Sequence, residues 1–182
     1  MEMLKDFNIS SFKKMKPPSD SSFDTAQEIK ALKKIKLDKN LVKKYDNIEA
    51  AFKKTAEEQG VKDYDKKIAA KLIKESAPVI LELKKHFNRP RPKKLAKKMN
   101  IKMEDYEMDS MKTPSYPSGH SVQGVLIAKV LSDKYPKAKS AFTKTGENIS
   151  YSRRVARAHY KSDSKMGEKL GNKMYNYIKK DI

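Results

Sequence analysis

Ala26, Ile29, Leu32 and Ile35 return at three-residue intervals, and a rhythm of three and four governs the apolar residues along most of this chain. That spacing places side chains on one face of an α-helix. Strands need alternation in steps of two between turn residues. No convincing stretch of that kind appears, nor any internal repeat. The fold class that follows is all-α: a single-domain helical bundle whose apolar stripes form one core. Helices are expected over residues 24–36, 42–52 or beyond, 64–76, 77–87, 118–134, 138–160 and 163–179. Residues 1–22 read as an irregular N-terminal segment, because Pro17-Pro18 and Ser19 to Ser22 are loop and helix-start chemistry. The helical domain is then expected over residues 23–182.

Prolines set the boundaries. Pro78 suits the first turn of a new helix, which separates 64–76 from 77–87. Pro90 and Pro92 stop that helix and hold Arg89 and Arg91 in extended conformations. Residues 93–116 are polar and carry the acidic cluster Glu104, Asp105, Glu107 and Asp109. They read as an active-site loop region with one short helix.

Charge narrows the partners. The chain of 182 residues has a formal net charge of +19. Such a field attracts anions: nucleotides, phosphorylated metabolites, nucleic acid or a membrane surface. Among 42 basic residues only five are Arg. These are Arg89, Arg91, Arg153, Arg154 and Arg157, confined to two short stretches. Arg offers a planar fork of donors that matches phosphate oxygens, where Lys is a point charge. The absence of Cys excludes disulfides, thiolate metal sites and Cys nucleophiles. No apolar run reaches the ~20 residues of a membrane helix. The start MEMLKDFNISSFKKMKPP lacks the apolar core of a secretory signal. An intracellular, cytoplasmic location is therefore expected, or a periplasmic one if a leader has been removed.

Three segments can carry chemistry. In Pro117-Ser118-Gly119-His120, a helix entry exposes backbone N–H groups that bind anions, with an imidazole beside them. In Ser152-Arg153-x5-His159-x3-Asp163, the His and Asp are four apart and would share a face of a helix. The carboxylate could then fix the imidazole tautomer and leave the other nitrogen as a nucleophile. In Lys84-x6-Arg91-Pro92, two cations approach from different angles and could clamp one phosphate. Each segment alone also reads as ordinary surface or capping chemistry. Together they supply a cationic clamp, an anion nest with a proton donor, and a nucleophile with its orienting group.

These three segments, complete and in order, resemble the signature of the type 2 phosphatidic acid phosphatase (PAP2) superfamily. Lys-His-Phe-Asn-Arg-Pro-Arg-Pro, Ser115 to His120 and His159-Tyr160-Lys161-Ser162-Asp163 are most similar to the soluble class A bacterial non-specific acid phosphatases. The likeness is strong over residues 78–175. The chain departs from that class in its shorter length, its richness in Lys and its start without a leader. The resemblance implies a metal-independent phosphomonoesterase without a cofactor. His159 would be the nucleophile, Asp163 its orienter and His120 the general acid and base. Lys84, Arg91, Ser118, Gly119 and Arg153 would bind the phosphoryl oxygens. The expected partner is a small soluble phosphate ester, nucleotides included, and a homodimer is carried as a further expectation. A peripheral phosphatase of lipid phosphates or pyrophosphates is one alternative. A basic protein that binds nucleic acid or other anions through charge alone is another. Vanadium-dependent haloperoxidases share the residues but are usually much larger.

Overall fold

The computed structural model describes residues 2–182. Eight α-helices account for the regular structure, together with three short 3-10 turns, and no strand occurs among the described residues. The helices are α1 (Phe23–Lys34), α2 (Lys39–Asp46), α3 (Ile48–Glu58), α4 (Lys67–Phe87), α5 (Pro92–Lys98), α6 (Gly119–Lys134), α7 (Lys139–Val155) and α8 (Lys161–Ile178). The all-α class expected from the apolar rhythm is what the chain adopts. None of the helices among the described residues is long and apolar enough to cross a membrane.

Local chemistry accounts for the helix starts. Ser22 accepts a hydrogen bond from the Thr25 N–H, and Asp38 accepts from the N–H groups of Asn40 and Leu41. Asn47 accepts from the Ala50 N–H. That last cap corrects the expected single helix over 42–52. Asn47 leaves the helical conformation to satisfy the first N–H groups of α3, so α2 ends at Asp46.

Pro78 yields the opposite correction. Residues 67–87 form one continuous helix with Pro78 inside it, rather than two helices. A proline in a helix interior costs about 3 kcal/mol. The buried stripe Ala69, Leu72, Ser76, Ile80, Leu83 keeps its phase through the proline. Burial of Ile80 and Leu83, about 1.5–3 kcal/mol each, offsets the penalty. The helix ends where Asn88 takes a left-handed conformation (φ 47°).

Helix α6 is the central element. It packs most extensively against α7 and α8 and also meets α3 and α4. Glycines allow the close approach. A Cβ on Gly167 of α8 would lie 2.6 Å from the Ser118 carbonyl oxygen and 2.7 Å from the Ser121 Cβ. The main core joins residues of α3, α4, α6, α7 and α8 with Leu4, Ile9 and Phe12 of the N-terminal segment. Phe12 belongs to a 3-10 turn, and the segment is held by Glu75, which accepts from the N–H groups of Met3 and Leu4.

The third correction concerns α7. It stops at Val155 instead of reaching residue 160, and Arg157 turns the chain with a φ of 56°. The Arg157 guanidinium donates to the carbonyls of Lys33, Ile35 and Glu104. Those bonds to separate loops fix the turn. His159 therefore lies between α7 and α8, not on a helix.

Candidate active site

The site is built where the ends of α4, α6, α7 and α8 meet. Lys84 belongs to the last turn of α4 and Arg91 is the N-cap residue of α5, and between them it is the left-handed Asn88, ahead of both prolines, that ends α4. Ser118 caps α6, Gly119 and His120 begin it, Arg153 occupies the last turn of α7, and Asp163 the first turn of α8.

Direct contacts link six of the eight residues singled out in the sequence, and His120 and Arg153 reach them through Asp46 and Ser110. His159 Nδ1 lies 2.9 Å from Asp163 Oδ2, and its Nε2 lies 2.9 Å from Arg91 Nη1. A guanidinium can only donate. Nε2 is thus the acceptor, and Nδ1 carries the proton donated to Asp163. The pairing expected from a shared helical face is present, but for a different reason. Asp163 Oδ2 also accepts the Tyr160 N–H at 3.1 Å, so the carboxylate caps α8 and reaches back to the residue preceding that cap. Arg91 Nη1 further donates to the Ala158 carbonyl at 3.0 Å. Ser118 N–H donates to the Asp163 carbonyl at 3.1 Å, which ties two of the three segments directly. An added Cβ on Gly119 would lie 4.0 Å from Lys84 Cε, so those two residues are neighbours.

Sequence reasoning missed the groups behind these residues. Arg89 is 1% exposed and donates through Nη1 to Asp163 Oδ1 at 2.7 Å. Its Nη2 donates to Glu28 Oε2 of α1 at 3.2 Å, and its guanidinium stacks 3.7 Å over the Tyr160 ring. The Ser115 hydroxyl donates to Asp163 Oδ2. Asp46, at the end of α2, accepts from Arg153 Nη1 on Oδ1 at 3.1 Å and from His120 Nε2 on its carbonyl at 2.8 Å. That bond leaves His120 Nδ1 as the free ring nitrogen. Arg89 and Ser115 lay inside the recognised segments. Nothing in the spacing around Asp46 or Glu28 marks either, since both reach the site through tertiary packing alone.

Residues 99–114 connect α5 to the site and supply acceptors to its cations. Arg91 Nη2 donates to the Ser110 carbonyl at 2.9 Å, and Arg153 Nη2 to Ser110 Oγ at 2.9 Å. Lys84 Nζ donates to the Pro114 carbonyl at 2.8 Å. Lys93 holds the acidic cluster through Asp105 at 3.0 Å and Glu107 at 3.3 Å. Three cations thus converge on oxygen acceptors of one strap, the arrangement of donors that an oxyanion would need.

Burial and crowding set the protonation. Burial, followed by the charge of Arg91, pushes the Lys84 ammonium down to about 7. Burial lowers Arg91 to about 10, with Asp163 partly offsetting it. His120 is lowered to about 4 by burial and then by Arg153. His159 falls well below the ordinary imidazole value through burial, then Arg91, Lys84 and Arg153. It is neutral, as a nucleophile must be. Asp163 is raised to about 6 by burial, against the pull of Arg89 and Ser115. The site is a largely buried cluster of cations around a neutral imidazole. No group of three or more His, Cys, Asp or Glu side chains is arranged to hold a metal ion among the described residues.

Comparison with known proteins matches residues 68–171 to the PAP2 superfamily, more than half of the chain. The non-specific acid phosphatase of Salmonella typhimurium is 36% identical over 88 residues, which cover 48% of this chain and 35% of that protein. The non-specific acid phosphatase of Salmonella typhi is 35% identical over 88 residues with the same coverage. The match thus spans about a third of the length of these relatives.

Proposed function

Because the chain belongs to the PAP2 superfamily, we propose that it is a phosphoric monoester hydrolase working through a phosphohistidine on His159. The observation that carries this reading is the His159–Asp163 pair. Its 2.9 Å bond fixes Nδ1 as the protonated nitrogen and aims the Nε2 lone pair at the guanidinium of Arg91. Names of the relatives support a phosphatase of acid type acting on small soluble phosphate esters.

Binding comes first. The ester phosphate replaces the strap oxygens as acceptor for Lys84, Arg91 and Arg153, with Ser118 Oγ and the Gly119 N–H completing the nest. Arg91 then donates to phosphate oxygen, which frees Nε2. Nε2 attacks phosphorus, and the bond from phosphorus to the ester oxygen breaks. Protonated His120 passes its Nδ1 proton to the departing alkoxide. The dianionic phosphate favours that protonated form, against the burial that otherwise depresses it. A water then attacks phosphorus, His120 takes its proton, and the P–N bond breaks to release phosphate and neutral His159. Phosphoryl transfer depends mainly on positioning and charge stabilisation, which this ring of donors supplies.

The test is hydrolysis of p-nitrophenyl phosphate by the wild type and His159→Ala, with acid-labile phosphate on the quenched enzyme followed by mass spectrometry. Turnover and label should both vanish in the variant. Undiminished turnover in His159→Ala would refute the assignment. Vanadate, which adopts the trigonal-bipyramidal geometry of the transition state, should inhibit competitively.

A further inference from the structure

His120 and Arg153 stand apart from the other six site residues, and one residue outside the recognised segments holds both. Asp46 is the last residue of α2, which packs against α7. Its carbonyl accepts from His120 Nε2 at 2.8 Å, and its Oδ1 accepts from Arg153 Nη1 at 3.1 Å. Oδ1 also lies 3.8 Å from His120 Nε2, too far for a hydrogen bond but close for a charge. The next residue, Asn47, is held by its own side-chain cap on α3. The peptide that presents the Asp46 carbonyl is therefore fixed from both sides.

Each bond answers a need of the proposed reaction. His120 must carry a transferable proton on Nδ1 although cations surround it. Burial and then Arg153 of α7 disfavour the imidazolium, and Lys84 of α4 adds to them. Asp46 opposes them twice. Its carbonyl takes the Nε2 proton, and its carboxylate sets a negative charge beside the ring. Arg153 has a different need, which is orientation. It is 1% exposed, and its Nε is buried without a partner among the described residues. Its Nη2 donates to Ser110 Oγ, the acceptor that a phosphate oxygen replaces. With Nη1 tied to Asp46, the N–H groups of Nε and Nη2 lie side by side on the other edge, a fork that matches two phosphate oxygens. Asp46 is then the oxygen acceptor that stays on Arg153 when substrate enters.

We infer that Asp46 is a positioning residue that sets the general acid and one arm of the phosphate clamp in register. It turns the donor edge of Arg153 towards phosphate and supports a protonated His120 beside the departing oxygen. The inference rests on the phosphatase reading and on the roles it gives those two side chains. Asp46 itself acts on the substrate only through them.

The experiment measures kcat/KM for phenyl phosphate and p-nitrophenyl phosphate, with inhibition by inorganic phosphate, in the wild type, Asp46→Asn, Asp46→Ala and Glu49→Gln. Phenolate leaves poorly without a proton, whereas p-nitrophenolate leaves without one. Asp46→Asn keeps the carbonyl and an oxygen for Arg153 but removes the charge. Its phenyl to p-nitrophenyl ratio should fall about fivefold, the effect of two unit charges about 4 Å apart in water. Water is the fitting medium for a side chain 49% exposed. Asp46→Ala also strips the acceptor from Arg153, so phosphate should inhibit it about threefold more weakly than it inhibits Asp46→Asn. Glu49→Gln removes an equal charge from an exposed position three residues on and should keep the wild-type ratio. In a His120→Ala background, Asp46→Asn should leave the ratio where His120→Ala alone puts it. Both readouts are independent of how much of a variant folds. A ratio that Asp46→Asn does not move, or that falls as far in Glu49→Gln or without His120, overturns the link to His120. Equal phosphate inhibition of Asp46→Asn and Asp46→Ala overturns the hold on Arg153. Either result leaves the phosphatase reading standing. A wild type that hydrolyses neither ester overturns that reading and the inference with it.

Discussion

Replacement of Arg89 by Met tests the support behind the nucleophile. The guanidinium is buried and joins two carboxylates, Asp163 at 2.7 Å and Glu28 at 3.2 Å. Met keeps much of the volume but removes both bonds. Breaking a buried pair so that a charge is left behind costs about 3–5 kcal/mol. For a chain of this size each kcal/mol lowers the melting temperature by about 2–4 °C, which gives a fall of roughly 6–20 °C. The fall should depend on pH. Burial lifts the folded-state value of Asp163 to about 6 from an ordinary 3.8, even with Arg89 pulling it down. A carboxyl raised in this way stabilises the fold least when ionised, so its cost grows as pH rises from about 4 through 6. Loss of Arg89 lifts that value further and deepens the cost on the neutral side. Below about 6 the carboxyl is already largely protonated, and Arg89 has less charge to meet. Thermal unfolding followed by circular dichroism should therefore show a larger fall near neutrality than near pH ~5. Adding Glu28→Gln to the variant should recover part of the stability, because it removes the second stranded carboxylate. Equal falls at the two pH values, or no fall, would show that Arg89 does not act through the charge of Asp163.

Three other perturbations follow from the same geometry. Lys84→Arg replaces an ammonium lowered to about 7 with a guanidinium that stays charged. The wild type should lose kcat/KM for a phosphate ester as pH rises through about 7, and the variant should lose that alkaline limb; an unchanged limb would assign it to another group. His120→Ala should slow hydrolysis of alkyl phosphates far more than of p-nitrophenyl phosphate, whose leaving group needs no proton. An equal loss across leaving groups would speak against an acid role. Gly167→Ala puts a Cβ 2.6 Å from the Ser118 carbonyl oxygen, so α6 and α8 must part. A stability loss of about 1–3 kcal/mol and a raised KM should appear together in denaturant titration and kinetics, and a silent substitution would contradict the packing described.

Much of the site was legible in the chain because its parts are local. Ser118 and Asp163 serve helix starts as well as the site, and such positions are written in short-range sequence. Helix boundaries were less legible wherever a local signal competed with burial. Pro78 signals a helix start, yet the stripe from Leu72 to Leu83 carries the helix through it. The rhythm around Val42 and Phe52 suggests one helix, yet the Asn47 side chain ends α2 by capping α3.

By itself, the sequence determined the all-α class, the spacing that places two cations, a helix entry and a His–Asp pair in order, and a charge that favours anions. Those follow from periodicity, capping chemistry and residue type, which act over a few positions. Only the tertiary structure decided that His159 sits off a helix and that Arg89 and Glu28 of α1 back Asp163. It also decided that Asp46 of α2 joins His120 to Arg153. Each of these joins residues from different helices, and their meeting depends on how closely the helices pack. That closeness is set by glycines such as Gly167, whose missing side chain lets α8 touch the start of α6.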